Sequence, residues 1–238
     1  MNAAEAIFSA KPLLDHPALW RGDSLACATS PGVPSGFAAL DKVLPGGGWP
    51  TGALTEILAE REGIGELSLI APALARLSQE MTRWITWIAP PHVPYAPALQ
   101  AAGLDLSRVV VVQPRNTADA LWATRQALSS DACSAVLSWL SVPDLQSLRR
   151  LQLAVEGRNT VAFMFRPSFA ARDFSPAPLR LQLEAAGSRL AVQVLKRRGP
   201  HLARPVLIDL SRPRRIDHVV ARPLPAQSAA AGISACCA

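Results

Sequence analysis

Residues 59–67, AEREGIGEL, are the stretch of this chain whose residue types and spacing come closest to a known chemistry. They lie between an apolar run and an amphipathic one, which is where a phosphate-binding loop sits. A working loop of that kind runs G-x-x-x-x-G-K-[ST]. Its glycines let backbone N–H groups surround the phosphates, its lysine reaches the outer phosphates, and its hydroxyl holds Mg²⁺. Gly63 and Gly65 are present here, but Glu66 stands where the lysine belongs and Leu67 where the hydroxyl belongs. A carboxylate and an alkyl chain cannot do that work, so the loop is expected to be degenerate. Glu56, Glu60, Glu62 and Glu66 place four carboxylates within eleven residues, an arrangement expected to repel a triphosphate. The alternative is that these acids are solvated, or cap the positive end of the helix that follows.

Such a loop needs a strand before it and a helix after it. Residues 53–58 read as an apolar strand, and Leu67, Ile70, Leu74 and Leu77 recur at helical spacing up to Met81, with Pro72 weakening an early turn. Upstream, Phe37, Leu40, Val43 and Leu44 fit a short helix stopped by Pro45 and three glycines. Downstream, short apolar strands over 84–88, 108–112, 133–140 and 160–165 alternate with helical segments over 96–102, 116–129 and 143–155. Strands separated by helix-length segments predict a mostly parallel sheet with helices on both faces. Past Pro178, residues 179–183, 189–196 and 205–210 alternate at period two and predict antiparallel edge strands. The predicted organisation is an N-terminal arm or linker over 1–34, a core domain over 35–210 and a flexible basic tail over 211–238. Leu13, Leu14, Leu19 and Trp20 are the arm's apolar docking points, on its own domain or on a neighbour.

At 238 residues, half of them hydrophobic, the chain can bury a full core. No run approaches the 18 apolar residues that span a bilayer, and the first residues lack a basic segment followed by an apolar one, so a cytoplasmic protein without membrane partners is expected. Cys27, Cys133 and the pair Cys236 and Cys237 fit neither a metal knuckle nor a disulfide framework. No metal or other cofactor is expected. Residues 1–148 carry nine basic and thirteen acidic side chains, net −4, while 149–238 carry fifteen and five, net +10. A basic half points to an acidic partner surface, nucleic acid foremost, unless it is simply a solvated arginine-rich face.

The order of these elements resembles the core ATPase domain of the RecA recombinase over roughly residues 30–210. Ser35-Gly36-Phe37 with Leu40-Asp41, the glycines at 46–48, Pro50-x-Gly52 and Glu56-Ile57 resemble the segment leading into that family's phosphate loop. WIAPPHVPYAPAL is similar to its second strand and turn, and VVVVQP to the strand that follows. The resemblance implies a RecA-like twisted sheet. It also locates two further losses: the water-activating glutamate falls at about Pro91, beside His92, and the metal-organising aspartate falls at Ser138. Phosphoryl transfer needs a cation on the phosphoryl, a held Mg²⁺ and an oriented water. With all three gone, the expectation is a pseudo-ATPase without catalytic residues.

The ImuA proteins of bacterial SOS mutagenesis cassettes, RecA-like chains with degenerate nucleotide motifs, are a closer resemblance. This implies an accessory role in error-prone translesion synthesis, with an ImuB-like Y-family polymerase homologue and an error-prone replicative-type DNA polymerase as partners, and RecA or DNA as further ones. The alternatives are an inhibitor that caps RecA filaments or a cell-division protein, and a residual ATP-dependent DNA-binding protein. Candidate DNA or partner contacts are Lys196, Arg197, Arg198 and Arg204 near a predicted hairpin end, and Arg212, Arg214 and Arg215 in the tail. A solvated hairpin end is the competing reading of the first group. His92, with no acidic or cysteine partner evident, reads as structural. Trp84, Trp87, Trp122 and Trp139 read as core or interface, and Trp49 is the tryptophan with room to be exposed.

Overall fold

The computed structural model describes residues 31–140 and 143–210. Most of the expected arm, the tail with Arg212, Arg214 and Arg215, and Cys27, Cys236 and Cys237 lie outside the described residues. Eight strands form one sheet: β1 (Ala53–Ala59), β2 (Trp84–Ile88), β3 (Val109–Val112), β4 (Cys133–Trp139), β5 (Val161–Pro167), β6 (Leu179–Ala186), β7 (Arg189–Lys196) and β8 (Val206–Ile208). Their order is β3-β2-β4-β5-β1-β6-β7-β8. The α-helices of the described residues are α1 (Ala38–Asp41), α2 (Glu66–Glu80), α3 (Ala96–Ala101), α4 (Thr117–Ser129) and α5 (Leu145–Val155).

The central strands read as unbroken apolar runs because both of their sides are covered. In β1, β4 and β5 six successive residues are buried, the signature of a parallel sheet between two helical layers. Alternate side chains feed two cores. Ile57, Ile85, Leu137 and Phe163 share one core with Leu69, Ile70, Ala73, Leu74 and Leu77 of α2. On the other face Leu54, Val136 and Met164 meet Leu128 of α4 and Leu148, Leu151 and Val155 of α5. Helices therefore lie on both faces, as the sequence predicts.

Local signals set the helix ends. Asn116 caps α4 by accepting from the Asp119 amide, and Asp144 caps α5 by accepting from the Ser147 amide at 2.6 Å. Pro72 does not interrupt α2, which runs through it. Gly36, at φ 87, approaches it so closely that a Cβ would lie 2.6 Å from the Pro72 Cβ, so only glycine fits there.

Beyond β1 the edge strands pair antiparallel as the sequence predicts, β6 with β7 and β7 with β8, while the join to β1 is parallel. Strand β6 runs parallel to β1, with Thr55 opposite Leu179, and antiparallel to β7. Alternation at period two reports one wet face but not the direction of a neighbour. The connection over residues 168–178 returns the chain to the start of the sheet, which makes the new strand parallel. The arm boundary also shifts. Val33 exchanges backbone hydrogen bonds with Trp49 at 2.7 and 2.8 Å, and Gly32 donates to Gly46. Trp49 is fully buried, packed edge-to-face on Phe163, contrary to the exposure its glycine neighbours allow. No helix among the described residues is long and apolar enough to cross a membrane.

Candidate functional site

Strand β1 ends at Ala59 and α2 begins at Glu66, so the intervening loop opens at the carboxyl end of the central strands. Gly63 at φ 79 and Gly65 at φ 121 give it its curl. Glu66 then folds back over the loop. Its Oε1 accepts from the Gly63 amide at 2.7 Å and its Oε2 from the Gly65 amide at 3.1 Å. The residue is 8% exposed and lies at the helix N-terminus, where a negative charge is favoured. The donors that a phosphate-binding loop would aim at its ligand are here taken by an anion of the same chain. Glu66 is therefore neither a free repelling charge nor a solvated one. Leu67, half-buried, packs against the core that α2 covers. Gly65 has a second constraint, since a Cβ on it would lie 2.3 Å from Cδ1 of Leu210.

Beside the loop is a cavity of about 510 Å³, lined among others by Glu60, Arg61, Glu62, Glu66 and Pro91. It sits outside the carboxyl ends of the strands, where open α/β sheets bind ligands. Aromatic rings form its inner wall. Trp139 stacks on Phe165 at 4.5 Å between centroids, and Trp87 stacks behind Trp139 at 5.6 Å. Pro91 reaches the cavity and brings no base with it. Ser138 does not line it: the side chain is buried and its hydroxyl is 3.4 Å from the Phe163 carbonyl oxygen. Successive strand residues point to opposite faces, so the neighbour that meets the cavity is Trp139. The sequence reading thus assembles the loop and Pro91 around one space and leaves Ser138 out. His92, read as lacking a partner, has its Nε2 3.1 Å from Glu62, and both side chains are well exposed.

Glu56 belongs to a different site from the other glutamates. It is fully buried, and its Oε2 accepts from Arg180 Nε at 2.7 Å while its Oε1 accepts from Ser175 Oγ at 2.5 Å and from Arg166 at 3.5 Å. Arg166 also reaches Asp173 at 3.1 Å. This network joins β1, β5 and β6 to the 168–178 connection. Sequence reasoning missed Arg166, Arg180, Asp173 and Ser175. A signal was there: an arginine within VAFMFRP and another within LRLQL are single charges in buried strands, and each calls for a buried acid.

The candidate basic contacts separate by role. Lys196 donates to the Ser175 carbonyl at 2.9 Å, and Arg197 donates to the carbonyls of Pro200 and Val43. These hydrogen bonds tie the end of β7 to neighbouring backbone, while Lys196 stays exposed and Arg197 half-buried. Arg198 and Arg204 are exposed.

A family model described as "Cell division inhibitor SulA" matches residues 52–162, from the start of β1 into β5. Protein ImuA of Caulobacter vibrioides (strain NA1000 / CB15N) is 29% identical over 134 residues, 55% of this chain and 55% of that protein. The chain thus spans about half the length of the ImuA relatives it matches. Cell division inhibitor SulA of Serratia proteamaculans (strain 568) is 32% identical over 131 residues, 54% of this chain and 74% of that protein. The crystal structure of SulA from Pseudomonas aeruginosa matches at 31% identity and a TM-score of 0.41, covering 48% of this chain and 97% of that one.

Proposed function

The chain belongs to the family of cell division inhibitor SulA, to which ImuA is related, and from that premise we propose that it is an ImuA-like accessory protein of the SOS response to DNA damage. In this reading it is non-catalytic and acts in error-prone translesion synthesis as a scaffold for an ImuB-like polymerase partner. The error-prone replicative-type polymerase, RecA and DNA are its further contacts. The observation that carries the reading is the Glu66 carboxylate bonded to the Gly63 and Gly65 amides, because a loop holding its own anion leaves no seat for a triphosphate. The central place of β1, with the loop opening at its carboxyl end, supports a RecA-like fold with a degenerate phosphate loop.

The test has two arms. The purified chain is assayed for ATP turnover with single-stranded DNA present, and it is co-expressed with an ImuB-like protein in nucleotide-free buffer, followed by size-exclusion chromatography and mass measurement. Turnover equal to buffer and co-elution without nucleotide are expected. Turnover above buffer would restore the ATP-dependent DNA-binding alternative.

A second reading, inhibition of cell division, is favoured by the SulA match over residues 52–162. Expression of the chain in dividing cells separates the two, since filamentous growth without DNA damage supports the inhibitor and normal division removes it.

A further inference from the structure

The connection between β5 and β6, residues 168–178, displays two large apolar side chains. Phe169 is 60% exposed and Phe174 is 90% exposed, the most exposed large apolar side chain among the described residues. Their backbone is held at several points. Arg180 donates to the carbonyls of Ala170 at 2.6 Å and Asp173 at 3.0 Å, and Lys196 donates to that of Ser175 at 2.9 Å. Ser175 in turn donates its hydroxyl to Glu56 and accepts from the Ala177 amide. Burying Glu56, Arg166 and Arg180 costs desolvation that a well-packed apolar trio would avoid. What these charges achieve is a fixed loop carrying two exposed rings. A preorganised apolar anchor loses little freedom on binding, and aromatic anchors dominate interface energetics.

We propose that this loop is a protein-docking element, with Phe174 as the anchor that enters an apolar pocket of the partner and Phe169 as its second contact. The proposal rests on the scaffold reading above and assigns the surface by which the polymerase-type partner is held. Protein is favoured over nucleic acid by charge. Among the described residues, the basic side chains that touch the loop are already engaged: Arg166 and Arg180 are buried on Glu56, Lys196 donates to the Ser175 carbonyl, and Arg172 is followed by Asp173, which is a poor match to a row of phosphates. The loop also lies beyond residues 52–162, the span matched by the SulA model. Ala177 packs in the core that contains α4 and α5, which places the loop's end on the sheet face opposite α2.

The experiment measures the affinity of the full chain for a co-purified ImuB-like protein by sedimentation, with Phe174→Ala, Phe169→Ala and, as control, Val93→Ala, an 85% exposed apolar residue elsewhere. Phe174→Ala is expected to weaken binding about 30-fold, the equivalent of a hot-spot residue, with Phe169→Ala weaker in effect and Val93→Ala without effect. Thermal unfolding of Phe174→Ala should match the wild type, since the ring buries little in the free chain. Wild-type binding with an unchanged Phe174→Ala affinity overturns the docking loop and leaves the scaffold reading standing. Absence of wild-type binding overturns the scaffold reading itself. If Phe174→Ala instead lowers self-association or affinity for a single-stranded oligonucleotide and leaves partner affinity intact, the loop serves another occupant and the proposal fails.

Discussion

Glu66 Oε1 lies 2.7 Å from the amide nitrogen of Gly63, three residues back along the chain. This distance describes a loop whose curvature gathers N–H donors onto its own side chain. Glu66 supplies the negative charge that the exposed amides and the helix N-terminus would otherwise draw from solution.

Removing that charge should cost stability and reopen the loop. Glu66→Ala is expected to lower unfolding free energy by about 1–2 kcal/mol, the scale of a lost helix cap, when measured by urea denaturation. It should also gain weak affinity for inorganic phosphate, seen as amide shifts of Gly63 and Gly65 in NMR. An unaltered midpoint together with unaltered phosphate response would show that the two hydrogen bonds carry no weight.

The buried charges around Glu56 answer differently to single and paired changes. Glu56→Gln leaves Arg180 buried without a counter-charge and Arg166 with Asp173 alone, and should destabilise by about 3–5 kcal/mol. Hydrogen exchange should show the 168–178 connection loosened first, because Arg180 and Ser175 no longer have an acid to orient them. A Glu56→Leu, Arg180→Met double variant, which removes the main ion pair together, is expected to lose less than the two single variants added. Strict additivity in calorimetry would argue against a coupled network.

Much of the fold could be read from the sequence because its signals are local. The strand at 84–88 and the helices over 116–129 and 143–155 depend on residues within a few positions of one another, and each occurs close to where the pattern puts it. The direction of β6 was not legible, since it is fixed by pairing with β1, more than a hundred residues earlier. The candidate site divides along the same line. The loop over 59–67 is contiguous and visible, whereas Glu56, Ser175 and Arg180 meet only through the sheet. The hydrogen bonds of Lys196 and Arg197 were hidden for a related reason, since sequence counts charge but does not show which backbone carbonyl a side chain reaches.

The cap of α5 should give the protein a feature in its acid stability. The Ser147 amide holds the Asp144 carboxyl below its ordinary pKa. A group whose folded pKa is lowered contributes stability above its unfolded value, about 3.9, and loses it as pH falls through the folded value. Wild type and Asp144→Ala should therefore differ in urea midpoint at pH 6 and converge as the pH falls through the lowered folded value. A gap that persists in strong acid would assign the effect to something other than the ionised cap.

The aromatic column at the cavity wall has an optical meaning. Trp87 and Trp139 stack at 5.6 Å, close enough for their excited states to mix and give a near-ultraviolet dichroic signal that isolated indoles lack. Trp139 and Phe165 meet the cavity while Trp87 continues the stack inward. Whatever enters that space perturbs a pair of coupled chromophores built into the sheet, so the molecule signals its own occupancy without a dye.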